Sequence, residues 1–153
     1  MVPRPALHRD LHDLLARAAA APNDVWAVGS YRDISPYVVS QTLILHWDGS
    51  IWSVVPSPNF GTVDIGLYAV AAVSASDVLA GGLVNYNMNQ AVSHTLIIHC
   101  DRSIWSVVPR PNLSKSTIIF SYVTAAPATV LSHFGGYMDG NLCVLRLHLR
   151  YDS

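Results

Sequence analysis

Charge is scarce in this sequence. Asp, Glu, Lys and Arg make up 12% of its 153 residues, against ~25% in a typical soluble domain. The 10 acidic and 9 basic residues leave a formal net charge of -1, which gives no electrostatic footprint for nucleic acid or an acidic membrane. Disorder is also excluded, because 51% of the residues are hydrophobic and disorder needs few apolar groups and high net charge. Long hydrophobic runs are missing: none approaches the ~18 consecutive apolar residues that cross a bilayer, so no membrane insertion is expected. The two cysteines, Cys100 and Cys143, have no CxxC partner. They indicate neither a zinc site nor a disulfide framework and read as small buried hydrophobes. The first 21 residues do not read as a signal peptide. His8, Asp10, His12 and Asp13 fall where an uninterrupted apolar segment belongs.

Catalytic signatures are missing as well. There is no Gly-x-Ser-x-Gly elbow, and no Ser/His/Asp set stands out from scattered polar residues. Gly81-Gly82 is not followed by the Lys-Ser/Thr of a phosphate loop. No catalytic residue, metal ligand or cofactor site is assigned.

What is present is a repeat, the feature that most constrains the fold. Residues 24–59 overlay residues 77–112 at a constant offset of 53, with 20 of 36 positions identical. The match concentrates in Val39–Asn59 against Val92–Asn112, where 16 of 21 pairs agree. A weaker third copy follows. Gly135-Gly136 falls at or one residue beyond the register of Gly81-Gly82, and Leu147–Asp152 resembles Leu43–Asp48. The run Ala16–Ala21 sits 53 residues before Ala69–Ser74 and reads as a degenerate first strand. Leu11, Leu14 and Leu15 fit a short amphipathic helix equally well.

Within the second copy four short strands can be read: Tyr68–Val73, Asp77–Val84, Thr95–Cys100 and Ile104–Val108. The last ends at prolines, which cannot donate to a ladder. Asp48-Gly49 between two apolar runs predicts a tight hairpin with positive φ at Gly49. Arg102 in place of that glycine implies a turn that is strained, longer or of another type. Leu43, Ile44 and Leu45 are all apolar, so both faces of that strand need cover. A four-stranded unit of this size cannot cover two apolar faces by itself. Stacking on neighbours follows, as in a β-propeller, with a β-solenoid as the rival.

The pattern Asn23-Asp-Val-Trp-Ala-Val-Gly29, followed by Thr42–Asn59 with His46-Trp-Asp-Gly49 and Trp52-Ser-Val-Val-Pro-Ser-Pro58, resembles kelch-like, galactose-oxidase-type propeller repeats. It is especially similar to tandem repeats of uncharacterised bacterial proteins. The resemblance implies an all-β partial propeller of four-stranded antiparallel blades. On that scheme residues 1–15 form an N-terminal segment, helical or irregular. Blade 1 spans 16–59, blade 2 spans 67–112, and 119–153 make an incomplete third. Trp26 becoming Leu79 and Trp47 becoming Cys100 depart from the pattern. Sialidase-type Asp-box spacing is not met, because Asp48 and Gly49 are adjacent. Propellers close with about 4–8 blades, so fewer than three leave either a fragment of a longer ring, an open arc, or copies that associate to complete or cap one.

His46 and His99, with Asp48 and Asp101, are repeat equivalents and read as structural rather than metal-binding, His46 being placed for a local hydrogen bond to Asp48. Trp52 and Trp105 read as packing residues between units, since an indole delivers ~150–250 Å² of burial. Recognition is expected where the copies differ. Residues 30–37 and 83–90 occupy the same loop yet share no residue, and function on rigid scaffolds concentrates in loops. Tyr31, Asp33, Tyr37, Asn85, Tyr86 and Asn87 are the candidate contacts with a protein or glycan. The leading expectation is a non-enzymatic binding scaffold. The alternatives are a fragment of a glycan-processing or oxidase propeller, or a truncated duplicate without selected activity. Galactose-oxidase-like domains hold copper with Tyr, His and Cys, but no such set carries over residue by residue. Family resemblance alone suggests an extracellular or cell-surface setting.

Overall fold

The computed structural model describes residues 12–33, 39–59, 64–85, 93–101, 104–109, 118–125, 131–138 and 141–148. For His12, Asp33 and the strands between 118 and 148 this means the backbone. The described residues are all-β, with no helix among them. Composition favours this: the sequence has no glutamate and one lysine, which removes two of the better helix formers.

Three antiparallel meanders follow one another. The first sheet runs β1 (His12–Ala21), β2 (Asp24–Asp33), β3 (Val39–Trp47) and β4 (Trp52–Val54), paired in chain order. The second runs β5 (Asp64–Ser74), β6 (Asp77–Asn85), β7 (His94–Asp101) and β8 (Ile104–Val107). The third holds β9 (Ile118–Ala125), β10 (Leu131–Met138) and β11 (Asn141–His148). From residue 12 onward the helical alternative for the N-terminal segment is therefore corrected to strand; residues 1–11 lie outside the described residues. The reason is pairing. β1 forms a ladder with β2, and Ala16 and Ala18 pack against the core shared by two sheets, a gap that small side chains fit. Likewise β5 begins at Asp64, before the Tyr68 start read from sequence.

The ladders repeat more faithfully than the residues. Leu14 pairs with Gly29 and Ala16 with Val28, so Leu15 is bulged out of register. Leu67 pairs with Gly82 and Ala69 with Gly81, which bulges Tyr68. Phe120 pairs with Gly136 and Tyr122 with Gly135, which bulges Ser121. Residues 15, 68 and 121 are each 53 apart, so one backbone device recurs three times. In the third sheet Cys143 pairs with Gly136, as Leu96 does with Gly82 and Leu43 with Gly29. The sequence match of Leu147 to Leu43 is thus corrected to Cys143. A shortened β10–β11 connection shifted the register, and periodicity alone could not reveal it.

The bulge explains the retained glycine. At Gly29 and Gly82 a Cβ would fall deep inside the carbonyl groups of Asp13 and Gly66, respectively. Backbone atoms fixed by a ladder cannot rotate aside. Gly82→Ala is expected to destabilise the chain by about 1–3 kcal/mol, the range for overpacking, as read from the urea midpoint. The neighbouring Gly66→Ala, which would meet only the Tyr68 ring, should cost less.

Strand alternation sorts the core. Trp26, Val28 and Ile44, from one face of the first sheet, cluster with Leu67, Val70, Val78, Ala80, Leu96, Ile98, Cys100 and Trp105 of the second. Across this seam the Trp26 and Trp105 rings meet edge to face, 5.7 Å between centroids. Leu79 and Ile97, fully buried, alternate with these residues and point from the opposite face of the second sheet. There β9 lies close to β5, β6 and β7. The first strands are also neighbours, β5 lying between β1 and β9. Equivalent positions therefore do not meet each other. The face carrying Trp26 in one sheet meets the face carrying Trp105 in the next, a head-to-tail arrangement. Both sites of sequence departure, Trp26 and Cys100, belong to this shared cluster.

Candidate functional site

The two ends of the sheets carry different chemistry. At one end lie the connections between second and third strands, where the copies diverge. Tyr31 is in β2, and its hydroxyl donates to Gln41 Oε1 at 3.4 Å. Asp33 closes β2, paired with Val39, and Asn85 closes β6, paired with Asp64. Tyr37, Tyr86 and Asn87 lie outside the described residues. Three of the six candidate contacts are thus placed at strand ends that flank the two loops.

In the first copy the start of β3 is held by a clasp. After β4 the chain continues as Pro56-Ser-Pro-Asn59, and the prolines have no N–H for the ladder. Side chains take over the pairing. The Thr42 N–H donates to Asn59 Oδ1 at 2.9 Å, and the Ser40 N–H donates to Asp64 Oδ1 at 2.6 Å. The single Thr42 hydroxyl proton has three acceptors in reach: Ser57 Oγ at 2.6 Å, Asn59 Oδ1 at 3.0 Å and the Pro58 carbonyl at 3.1 Å. Thr42 is buried, as is its equivalent Thr95, so the donors satisfied here are ones that would be costly to strand. The same residue types recur as Thr95 and Pro111-Asn112; Pro111 and Asn112 lie outside the described residues.

At the opposite end His46 Nε2 lies 2.9 Å from Asp24 Oδ1, and His99 Nε2 lies 2.8 Å from Asp77 Oδ1. The expected partner of His46, Asp48, is corrected to Asp24. Asp48 is occupied locally, accepting from the N–H groups of Ser50 at 2.8 Å and Ile51 at 2.9 Å. These bonds to Ile51 and Ser50 hold the Asp48 carboxyl below its usual pKa, with a smaller contribution from His46. Gly49 takes φ 96°, as expected, but the turn closes one residue later than the Asp-Gly pair implied. Asp48 and Ile51 flank it, with the Asp48 N–H donating to the Ile51 carbonyl at 3.3 Å. In the second copy Asp101 pairs with Ile104, so that turn is not lengthened; Arg102 itself lies outside the described residues.

The Asp/His pairs were legible in principle. Both members recur at a separation of 22 in two copies, but Asp48, two residues along the chain from His46, was the nearer candidate. In the third sheet Leu131 and Arg146 hold the corresponding registers. Trp26 stacks on His46, with centroids 4.2 Å apart and planes at 23°. A carboxylate orienting an imidazole is half of a general-base arrangement. Its recurrence in two adjacent units instead fits a fastener that ties the start of β2 to the end of β3, and of β6 to β7. Among the described residues no group of three or more His, Cys, Asp or Glu side chains is placed to hold a metal ion. No helix among them is long and apolar enough to cross a membrane.

No protein-family model, no curated protein and no solved structure matches this chain.

Proposed function

We propose that the chain is a non-enzymatic propeller-repeat scaffold that binds a protein or glycan through the connections between its second and third strands. The observation that carries this reading is the contrast within one repeat. Residues 39–59 and 92–112 are nearly copied, whereas residues 30–37 and 83–90, which begin on equivalent strands, share nothing. A scaffold kept constant beneath divergent Tyr- and Asn-bearing connections is suited to recognition, because the ladders on either side fix where the connections start and end. Tyr31 and Asp33 at the end of β2 with Tyr37 beyond it, and Asn85 at the end of β6 with Tyr86 and Asn87 beyond it, supply rings that stack on sugars or peptides and groups that hydrogen-bond to them.

The test is a glycan array and a pull-down with the folded chain, repeated with Tyr37→Ala and with Tyr86→Ala/Asn87→Ala. Capture of one ligand class is expected, weakened at least about tenfold by a loop variant, the cost of losing ~1.4 kcal/mol of contact, with circular dichroism unchanged. Binding indifferent to both loops contradicts the reading, as does turnover of a substrate without any stable partner.

A further inference from the structure

We infer that the outer face of the first sheet is a docking surface for a second copy of this chain, seated head to tail. The inference rests on the stacked-repeat reading above. Comparison of equivalent residues shows where cover is missing. Leu67 of the second sheet is 0% exposed, whereas its equivalent Leu14 is 39% exposed. Val70 is buried and Ala72 half-buried, whereas Arg17 and Ala19 are exposed. Trp105 is buried and Trp52 only half-buried. The β1 residues lie on one face by register: Leu14 opposite Gly29, Arg17 opposite Ala27 and Ala19 opposite Val25. In the second sheet that face is covered by the Trp26–Val28–Ile44 face of the first. In the first sheet no described strand lies over it.

The middle of this face is already buried, Tyr31 and Trp52 packing on Ala27, Leu43 and Leu45. Trp47 and Trp52 pair beside it with centroids 5.8 Å apart. What stays open is the rim along β1, beside these aromatics. The chain itself specifies the occupant, because the surface complementary to this face within the fold is the opposite face of the same repeat. The third sheet repeats the same register, so it can offer the corresponding face. Contact between the third sheet of one copy and the first of another is heterologous, and such contacts assemble into rings when the rotation closes. Two chains of three sheets give six, within the range of about 4–8 that closes. Arg17 fits at the rim, where its stem lies along the seam and its guanidinium reaches water.

Sedimentation analysis of the intact chain tests this, together with Leu14→Lys and Ala19→Arg, two exposed positions where a charge does not threaten the fold. The wild type is expected at about twice its 16.6 kDa. Each variant is expected to shift to a single-chain mass at the same concentration, a loss of about tenfold or more in association, with circular dichroism preserved. A wild type that stays monomeric at high concentration overturns the inference, as do variants that leave its mass unchanged. Ala19→Cys separates geometries: two copies of this surface facing each other would bring the introduced thiols together as an intermolecular disulfide, and its formation would overturn the head-to-tail arrangement. Loop variants that abolish ligand capture leave the mass unaltered, so failure of the binding reading is distinguishable.

Discussion

Trp26→Ala is expected to lower the free energy of unfolding by about 3–5 kcal/mol, the range for emptying a buried aromatic site. Trp26 is 4% exposed. It lies on the seam between two sheets and touches both His46 by stacking and Trp105 edge to face. Its removal opens a cavity between rigid ladders, which close over a void less readily than loops. It also strips cover from the Asp24–His46 bond. Against a total stability of about 5–15 kcal/mol, the melting transition should shift by many degrees or vanish.

Two controls sharpen that expectation. Trp52→Ala, at the half-buried equivalent of Trp105 on the open face, should cost clearly less than Trp105→Ala. Trp26→Phe should recover much of the loss, because the indole nitrogens of Trp26 and Trp105 are buried without a hydrogen-bond partner among the described residues. An aromatic ring lacking that N–H keeps most of the contact and removes a donor that costs energy to bury. Urea unfolding of the four variants ranks these effects; equal losses at Trp26 and Trp52 would mean that the seam is not the main core.

The fold was legible where chemistry repeats. Gly29 and Gly82, the Asp48-Gly49 turn and the unbroken apolar runs Leu43–Leu45 and Leu96–Ile98 announced antiparallel strands with two covered faces. The sheets, their order and the positive φ of Gly49 agree with that reading. β1 was half-legible: the alanine run from Arg17 reads as strand, whereas the leucines up to Leu15 fit helix and strand alike until the pairing with β2 decides. The register of β11 was hidden, since a shortened connection displaces the match while the ladder restores it from Cys143.

The site chemistry was less legible for a related reason. His46 and Asp24 are 22 residues apart along the chain but adjacent across β2 and β3, so only the pairing of Trp26 with His46 makes them neighbours. The same holds for Thr42 and Asn59, which meet because prolines remove the backbone alternative. The faces of stacked sheets were the hardest to foresee. Alternation shows that both faces are apolar, but not that a Trp26 face must meet a Trp105 face.

Most directly at stake is whether one repeat owes its fold to the next, and the isolated second repeat, residues 64–112, decides it. Cut from its neighbours, it exposes Leu67, Val78, Leu96, Ile98 and Trp105, which are buried in the intact chain. Fully burying each such side chain contributes about 1.5–3 kcal/mol, so their exposure removes as much as the stability of a whole small domain. The expected result is a peptide without a cooperative urea transition, beside an intact chain that unfolds in one. A monomeric fragment that unfolds cooperatively, with the midpoint of the full chain, would contradict stacking as the source of stability.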